Sequence, residues 1–299
     1  MTDNPEYIQR VNRAIDHIIS HLSEPLRLDD VAAIACFSPF HFHRIFSALV
    51  GETFTEFVTR VRLERSLTLL LHNPEINLTQ VALRCGFGSS SNFTRVFKKR
   101  FDVAPSRFDI DALQAKRRED LVEFASAGGG TQRLERLPAG ENPDGFEVTF
   151  LDLEPRTVSY IRVSQPFQEG RVVDAAMRLV AWAEARGLAD GRWLGYMWDN
   201  PEVVALEDCR YDVGVEVPNA KPEGEVGVLE FPAMRVATIP VRGSIELEQR
   251  AIDWMYGTWL PRARYVPDDQ PAFEAWIGRP FAHGLEHFEL DMHLPVRRF

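Results

Sequence analysis

Apolar residues recur every three or four positions along the first third of the chain, which is the spacing of one face of an α-helix. The pattern predicts amphipathic helices over residues 7–22, 28–35, 39–50 and 54–71. It continues through residues 77–108 as a short helix, a turn at Gly86, a second helix and a stop at Pro105. Asn77 and Ser89 stand where these two helices need N-caps. Residues 77–108 therefore predict a helix-turn-helix.

The same unit occurs earlier in the chain. Residues 31–51 match residues 81–102, with Arg44 at the position of Arg95, 51 residues apart. Two such units joined by one helix suit two successive major-groove segments, about 10 bp apart. Where the second copy has glycine in its turn, the first has Cys36, which costs about 1 kcal/mol if its φ is positive. Taken alone, residues 77–108 also fit an ordinary helical hairpin with a solvated basic flank.

After residue 146 the pattern changes to alternation and β-branched residues. The order strand, strand, helix, strand, strand occurs twice, with Pro201 matching Pro280 and Asp212 matching Asp291, 79 residues apart. This predicts an α+β domain, a tandem ββαββ duplication with pseudo-twofold symmetry and a central cleft. A glycine-rich stretch without apolar periodicity precedes it. The expected organisation is multidomain: an all-α double helix-turn-helix domain in 1–118, a linker in 119–143 and the α+β domain in 144–299.

Charge divides at the same place. The net charge is −10, made of +3 over residues 1–118 and −13 over residues 119–299. The first part tolerates a polyanion, whereas the second favours cations. The chain has no apolar run near the ~18–20 residues of a membrane span and no signal-peptide pattern, so we expect a cytoplasmic protein that does not enter membranes.

Cysteines and histidines, the residue types that often bind metals, are scattered along the chain. Three isolated cysteines indicate neither a disulfide framework nor a zinc site. His283, His287 and His293 lack the spacing of metal ligands and are expected at the surface or on an edge strand. We therefore expect no metal and no cofactor.

Residues 86–106 carry a family motif, GF-x-S-x(3)-F-x-R-x-F-K-x-x-F-x-x-x-P-S. It resembles the second helix-turn-helix of AraC/XylS-type transcription regulators, and the resemblance covers about residues 5–110. It implies that two recognition helices of one chain enter adjacent major grooves of promoter DNA, with RNA polymerase as a further candidate partner. By position, the residues presented to DNA are Phe40, His43, Arg44, Ser90, Ser91, Asn92 and Arg95, and Lys98 is a candidate phosphate contact.

The chemistry of these side chains leaves alternatives open. Arginine can fork onto guanine and asparagine onto adenine, while serine reads bases less selectively. Arg44 and Arg95 could instead touch phosphates, and His43 could be a bystander. Phe40 could contact a thymine methyl group or belong to the core.

The second half resembles the GyrI-like effector-binding domain over roughly residues 144–299. The matching segments include GYMWDNP, CRYDVGVEVP and PAFEAWIGRP. The resemblance implies a pocket for small, often cationic and aromatic compounds with a buried glutamate, which by position is Glu274. Phe273 and Trp276 flank Glu274, and a cation gains ~0.5–2 kcal/mol from a desolvated aromatic face. The other candidate walls of the pocket, each of which also fits plain core packing, are Tyr160, Tyr196, Trp198 and Trp254.

These expectations combine into a non-enzymatic, ligand-responsive and sequence-specific DNA-binding transcription regulator. A second hypothesis is a hydrolase of reactive small molecules, with Glu274 as general base and Tyr196 or Trp198 as the positioning residue. A third is a module that sequesters drugs or toxins. The sequence shows no Ser/His/Asp or Cys/His constellation, so no catalytic residue is assigned.

Overall fold

The computed structural model describes residues 4–73, 75–127, 140–268 and 270–298. It divides into two compact units, which are described separately. The first comprises the described residues of Met1–Arg118 with Asn200–Ala205 and Glu223–Gly227. The second comprises those of Glu119–Asp199, Leu206–Pro222 and Val228–Phe299.

The predicted helices are confirmed, with ends displaced by a few residues. Helices form at α1 (Pro5–Ser20), α2 (Leu28–Ile34), α3 (Pro39–Val50), α4 (Phe54–His72), α5 (Leu78–Arg84), α6 (Ser90–Phe101) and α7 (Ile110–Ala127). The start of the predicted linker is therefore helical as far as Ala127, while its residues 128–139 lie outside the described residues. Within the described residues, no single helix has the length and apolar composition of a membrane span, and one pair of helices, bent by 78°, meets that test jointly.

Each helix-turn-helix has an apolar core formed by the positions that the repeat relates. Val31 and Ala32 on α2 are fully buried, as are Val81 and Ala82 on α5. On the second helix of each unit, the buried positions are Phe42 and Phe46 in α3, and Phe93 and Phe97 in α6. The repeat in the sequence is thus a repeat in packing.

The two turns differ in how they take positive φ. Gly86 has φ +77°, and a Cβ there would lie 2.2 Å from the Leu22 carbonyl oxygen. Arg62 of α4 fills the space beside it, donating to the carbonyls of Leu22 at 3.0 Å and Glu24 at 2.7 Å. Cys36 has φ 55° and carries a Cβ, so the backbone of the first turn is strained at this residue.

The second unit is built on one antiparallel sheet with two long helices, α8 (Arg171–Glu184) and α9 (Ile245–Trp254). The strands are β1 (Thr149–Leu153), β2 (Arg156–Ser164), β3 (Trp193–Met197), β4 (Arg210–Glu216), β5 (Gly227–Phe231), β6 (Met234–Gly243), β7 (Tyr265–Pro267), β8 (Ala272–Trp276) and β9 (Phe288–Arg298). Their order is β1-β6-β9-β8-β3-β4-β2-β5, and β7 pairs with β9 beside this path.

This order confirms the predicted duplication and adds a strand exchange. The first repeat contributes β1 to β4 and α8, and the second contributes β5, β6, α9, β8 and β9. Strand β1 pairs with β6 of the second repeat, and β5 lies beside β2 of the first. The central strands β3 and β8 pair directly, so the two repeats form one continuous sheet. The pseudo-twofold axis passes between these two strands.

The two faces of the sheet carry different chemistry, because residues opposite each other on paired strands point to the same face. One face, the Glu274 face, carries the row Ile161, Val213, Gly195, Glu274, Met292 and Ile239. The other, the Tyr196 face, carries Arg162, Asp212, Tyr196, Phe273, His293 and Thr238. Helix α9 covers the Glu274 face, since its Ala251 packs in one cluster with Ile239 and Met292.

Candidate functional site

The first candidate surface is the exposed side of α3. The Ser38 side chain caps this helix by accepting from the His41 backbone N–H. Phe40 is 66% exposed, which removes the core-packing interpretation of this residue. His43 and Arg44 are also exposed, and the Arg44 guanidinium lies 5.8 Å from the centre of the Phe40 ring.

The equivalent surface of the second unit is α6, capped by Ser89. Ser91, Arg95 and Lys98 are exposed, whereas Ser90 and Asn92 are half-buried. Arg95 donates to the Asn92 side-chain oxygen at 2.9 Å. A guanidinium has five N–H donors, so this bond orients Arg95 and leaves donors for a base or a phosphate.

The second candidate site surrounds Glu274 at the centre of the sheet. Glu274 is 8% exposed. Its Oε2 accepts from the Tyr211 hydroxyl at 2.8 Å and from the Trp276 indole N–H at 2.6 Å. Burial raises the pKa of Tyr211 well above its usual range, so the phenol keeps its proton and remains a donor. The carboxylate is therefore held by two neutral donors.

Gly195 makes this arrangement sterically feasible. It lies opposite Glu274 in the register of β3 and β8. A Cβ at Gly195 would lie 1.8 Å from the Tyr211 hydroxyl oxygen and 2.8 Å from Glu274 Oε2. Only a residue without a side chain lets the phenol from β4 reach the carboxylate on β8.

A second carboxyl, Glu248 of α9, is also buried at 5% exposure and hydrogen-bonds with Glu274. Burial and the charge of Glu274 raise the pKa of Glu248 well above its usual range. Burial also raises the pKa of Glu274, while hydrogen bonds from Trp276, Tyr211 and Glu248 lower it. The hydrogen bonds thus favour an ionised Glu274 and a protonated Glu248.

Sheet geometry separates most of the predicted aromatic walls from Glu274. Tyr196 and Phe273 lie in the row on the Tyr196 face, with ring centres 5.2 Å apart. Tyr160 is opposite Gly214, and Gly214 is opposite Leu194 of the apolar cluster on that face. The structure therefore does not bring Tyr160, Tyr196 or Phe273 to the carboxylate of Glu274. Their alternating positions along the strands are the physical reason.

Trp198 belongs to the Tyr196 face as well. Its indole N–H donates to Asp212 at 2.6 Å, and Arg162 forms two further hydrogen bonds to the same carboxylate. On the same face of the sheet, burial raises the pKa of the Tyr196 hydroxyl to about 12. Asp212 is thus ion-paired with Arg162.

Two of the predicted aromatic residues remain on the Glu274 side. Trp276 donates directly to Glu274, and Trp254 of α9 packs in the same apolar cluster as Trp276. Trp276 also lines a small surface pocket together with Phe281, Phe288 and Arg279. The Phe281 ring meets Trp276 edge to face at 5.1 Å.

The predicted positions of the histidines are partly corrected. His283 and His287 are exposed, as expected. The expectation for His293 is wrong, because it is 2% exposed on β9, which pairs with β6 and β8. Its ring lies 2.8 Å from the Thr238 hydroxyl, and burial lowers its pKa to about 4.

Sequence reasoning missed Glu248 and Tyr211. Glu248 occupies the buried face of α9 with Ala251 and Trp254, at spacings of three and six residues. A glutamate at an apolar position of an amphipathic helix was the available signal. Tyr211 carried no comparable signal, since its distance to Glu274 depends on strand pairing.

Comparisons with protein families match both halves of the chain. A model described as a GyrI-like small molecule binding domain matches residues 146–297, about half of the chain. A helix-turn-helix domain model matches residues 31–109. The chain belongs to the AraC-type, DNA-binding family of transcription regulators and carries a GyrI-like small-molecule-binding domain.

Individual relatives share parts of this chain. It is 32% identical to the HTH-type transcriptional regulator YbfP of Bacillus subtilis, over 48% of this chain and 46% of that protein. It is 34% identical to the probable transcription factor PqrA of Proteus vulgaris, over 29% of this chain and 70% of that protein. The C-terminal domain of AraT, a response regulator from Geobacillus stearothermophilus, is 31% identical over 33% of this chain and 81% of that chain, with a TM-score of 0.32. The chain spans less than half of YbfP.

Proposed function

We propose that this chain is a one-component regulator that reads promoter DNA with α3 and α6 and binds a small organic cation at Glu274. The observation that carries the ligand proposal is the environment of Glu274. This carboxylate is buried, its donors Tyr211 and Trp276 are neutral, and no basic residue is among the groups that act most strongly on its pKa. A buried charge without a counter-ion is costly, so a cationic ligand would stabilise it.

Trp276 supports an aromatic component of the ligand. Its indole contacts Glu274 and also lines the neighbouring pocket with Phe281. A planar cation entering from this pocket would meet aromatic surface before it reached the carboxylate. Each desolvated cation–aromatic contact contributes about 0.5–2 kcal/mol.

The DNA proposal rests on two exposed, N-capped helices from a repeated unit. Arg44 and Arg95 occupy equivalent positions and are both exposed. We assign these arginines to guanine or phosphate and Asn92 to adenine or to orienting Arg95. Phe40, His43, Ser90, Ser91 and Lys98 complete the proposed surface. We place this regulator in the cytoplasm and propose RNA polymerase as its partner at the promoter.

The experiment compares ligand and DNA binding in the full chain. Tetraphenylphosphonium is titrated calorimetrically into wild type, Glu274→Gln and the exposed control Glu230→Gln. We expect Glu274→Gln to bind at least about tenfold more weakly, or ~1.4 kcal/mol, with the control unchanged. Affinity for an operator selected from random duplexes should change on adding the cation to wild type and to the control, but not to Glu274→Gln. Equal cation affinity in all three proteins would refute the ligand site. If the cation binds but operator affinity does not change, sequestration of the cation is the favoured function.

A hydrolase remains the second candidate, because Glu274 and Glu248 form a buried, hydrogen-bonded pair of carboxyls whose pKa values burial raises. General acid–base catalysis uses such pairs. Product formation from a strained-ring electrophile, lost in Glu274→Gln, would favour this function over regulation.

A further inference from the structure

The buried carboxyls of Glu248 and Glu274 come from different elements, α9 and β8, and hydrogen-bond to each other. An ionised carboxylate only accepts hydrogen bonds, so a bond between two carboxyl groups needs a proton on one of them. The unliganded pair therefore holds one proton and one negative charge. This stoichiometry follows from the contact itself.

The surroundings of the pair decide which carboxyl holds the proton. Glu274 Oε2 already accepts from Tyr211 at 2.8 Å and from Trp276 at 2.6 Å, which stabilises its ionised form. The strongest influences on the pKa of Glu248 are burial and the charge of Glu274, and both favour its protonated form. Glu248 is thus the donor and Glu274 the acceptor.

Among the described residues that act on the pair, Tyr211 is a further titratable group. Tyr211 faces it from β4 and keeps its proton, because burial and the charge of Glu274 raise the pKa of this phenol. Trp276 faces it from β8 and does not titrate. Asp212 acts on Tyr211 from the other face of the sheet, where Arg162 neutralises it.

We propose that the site matches ligand charge by exchanging the Glu248 proton: a monocation binds with Glu248 protonated, and a dication binds with Glu248 ionised and releases one proton. A monocation neutralises the single charge on Glu274, so it leaves the proton in place. A dication brings a second positive charge beside Glu248, and losing the proton restores neutrality in the buried site. The inference rests on the proposed cation site and specifies the ligand charge that it accepts.

Two fixed-charge probes test this directly in the full-length protein. Tetraphenylphosphonium carries one charge and methyl viologen two, and neither titrates. Calorimetric titrations in two buffers of different ionisation enthalpy count the protons released. We expect about one proton for methyl viologen and none for tetraphenylphosphonium. The affinity for methyl viologen should then rise about tenfold per pH unit while Glu248 is protonated in the free protein.

Variants separate the roles of the two carboxyls. Glu248→Gln should abolish proton release and weaken methyl viologen at least tenfold more than it weakens tetraphenylphosphonium, because glutamine can donate to Glu274 but cannot ionise. Glu248→Asp keeps a carboxyl and should keep proton release. If Glu248→Gln does not fold, the wild-type proton counts for the two probes decide the question.

The outcomes distinguish this inference from the proposed function. Methyl viologen binding without proton release, or equal release with both probes, would overturn the charge-matching inference and leave the cation site standing. If neither probe binds wild type, the proposed ligand class and the inference both fall.

Discussion

Replacing Gly195 with alanine tests the geometry of the Glu274 site without changing any charge. The new Cβ would lie 1.8 Å from the Tyr211 hydroxyl oxygen and 2.6 Å from the ring carbon that carries it. Ordinary contacts begin near 3.4 Å, so the phenol must withdraw from Glu274, to which it now donates at 2.8 Å.

The cost has two parts. Overpacking a filled core costs about 1–3 kcal/mol, and losing a buried hydrogen bond to a charged group costs about 1.5–3 kcal/mol. We therefore expect Gly195→Ala to lower the free energy of unfolding of the second unit by about 3 kcal/mol or more. Because the ionised form of Glu274 loses a donor, cation affinity should fall by roughly tenfold as well.

Tryptophan fluorescence provides a selective assay, since all six tryptophans lie after residue 181, within the second unit. Urea unfolding followed by this signal gives the stability change. Adding Tyr211→Phe to Gly195→Ala removes the nearest clashing atom and should restore part of the stability. A Gly195→Ala protein within about 0.5 kcal/mol of wild type would refute the described approach of Tyr211 to Glu274.

Four further predictions concern the two units separately. Gly86→Ala should destabilise the helical unit by about 3 kcal/mol or more, because φ is positive there and the new Cβ would displace Arg62 from two carbonyls. Cys36→Gly should stabilise the same unit by up to about 1 kcal/mol, because it relieves the positive φ. Circular dichroism during unfolding measures both changes in stability. Arg95→Ala should weaken specific DNA binding by about 1–3 kcal/mol and relax one base preference in competition assays if Arg95 reads a guanine. Weaker binding with an unchanged preference would assign Arg95 to a phosphate, and unchanged binding would contradict both assignments. Burial lowers the pKa of His293 from 6.5 to about 4, so the unfolded chain binds a proton at His293 before the folded protein does as pH falls. The free energy of unfolding should therefore fall by about 3 kcal/mol between pH 6.5 and pH 4, and by a smaller amount in His293→Gln.

The sequence predicted the elements of both units because their signals are local. Helix α3 begins at Pro39 and ends at Val50, as its cap and the following glycine indicate. The positive φ of Cys36 also followed from its alignment with Gly86. The order of the second unit could be read from the duplication, although the pairing of β1 with β6 could not.

Which side chains surround Glu274 was less predictable, because this depends on which side of the sheet each residue faces. Phe273 and Trp276 both flank Glu274 in sequence, yet Trp276 shares its face and Phe273 does not. Tyr196 faces away for the same reason. Glu248 reaches the site from a helix 26 residues earlier, a contact that no local pattern encodes.

The duplication makes the Glu274 site asymmetric in a way that a twofold-symmetric assembly could not be. Glu274 and Gly195 are 79 residues apart, occupy equivalent positions in the two repeats and face each other across the pseudo-twofold axis. In a homodimer of one repeat, both positions would carry the same residue, either two facing carboxylates that repel or two glycines without charge. Fusion into one chain let the copies diverge, so a bound cation would be held toward α9 and have one preferred orientation.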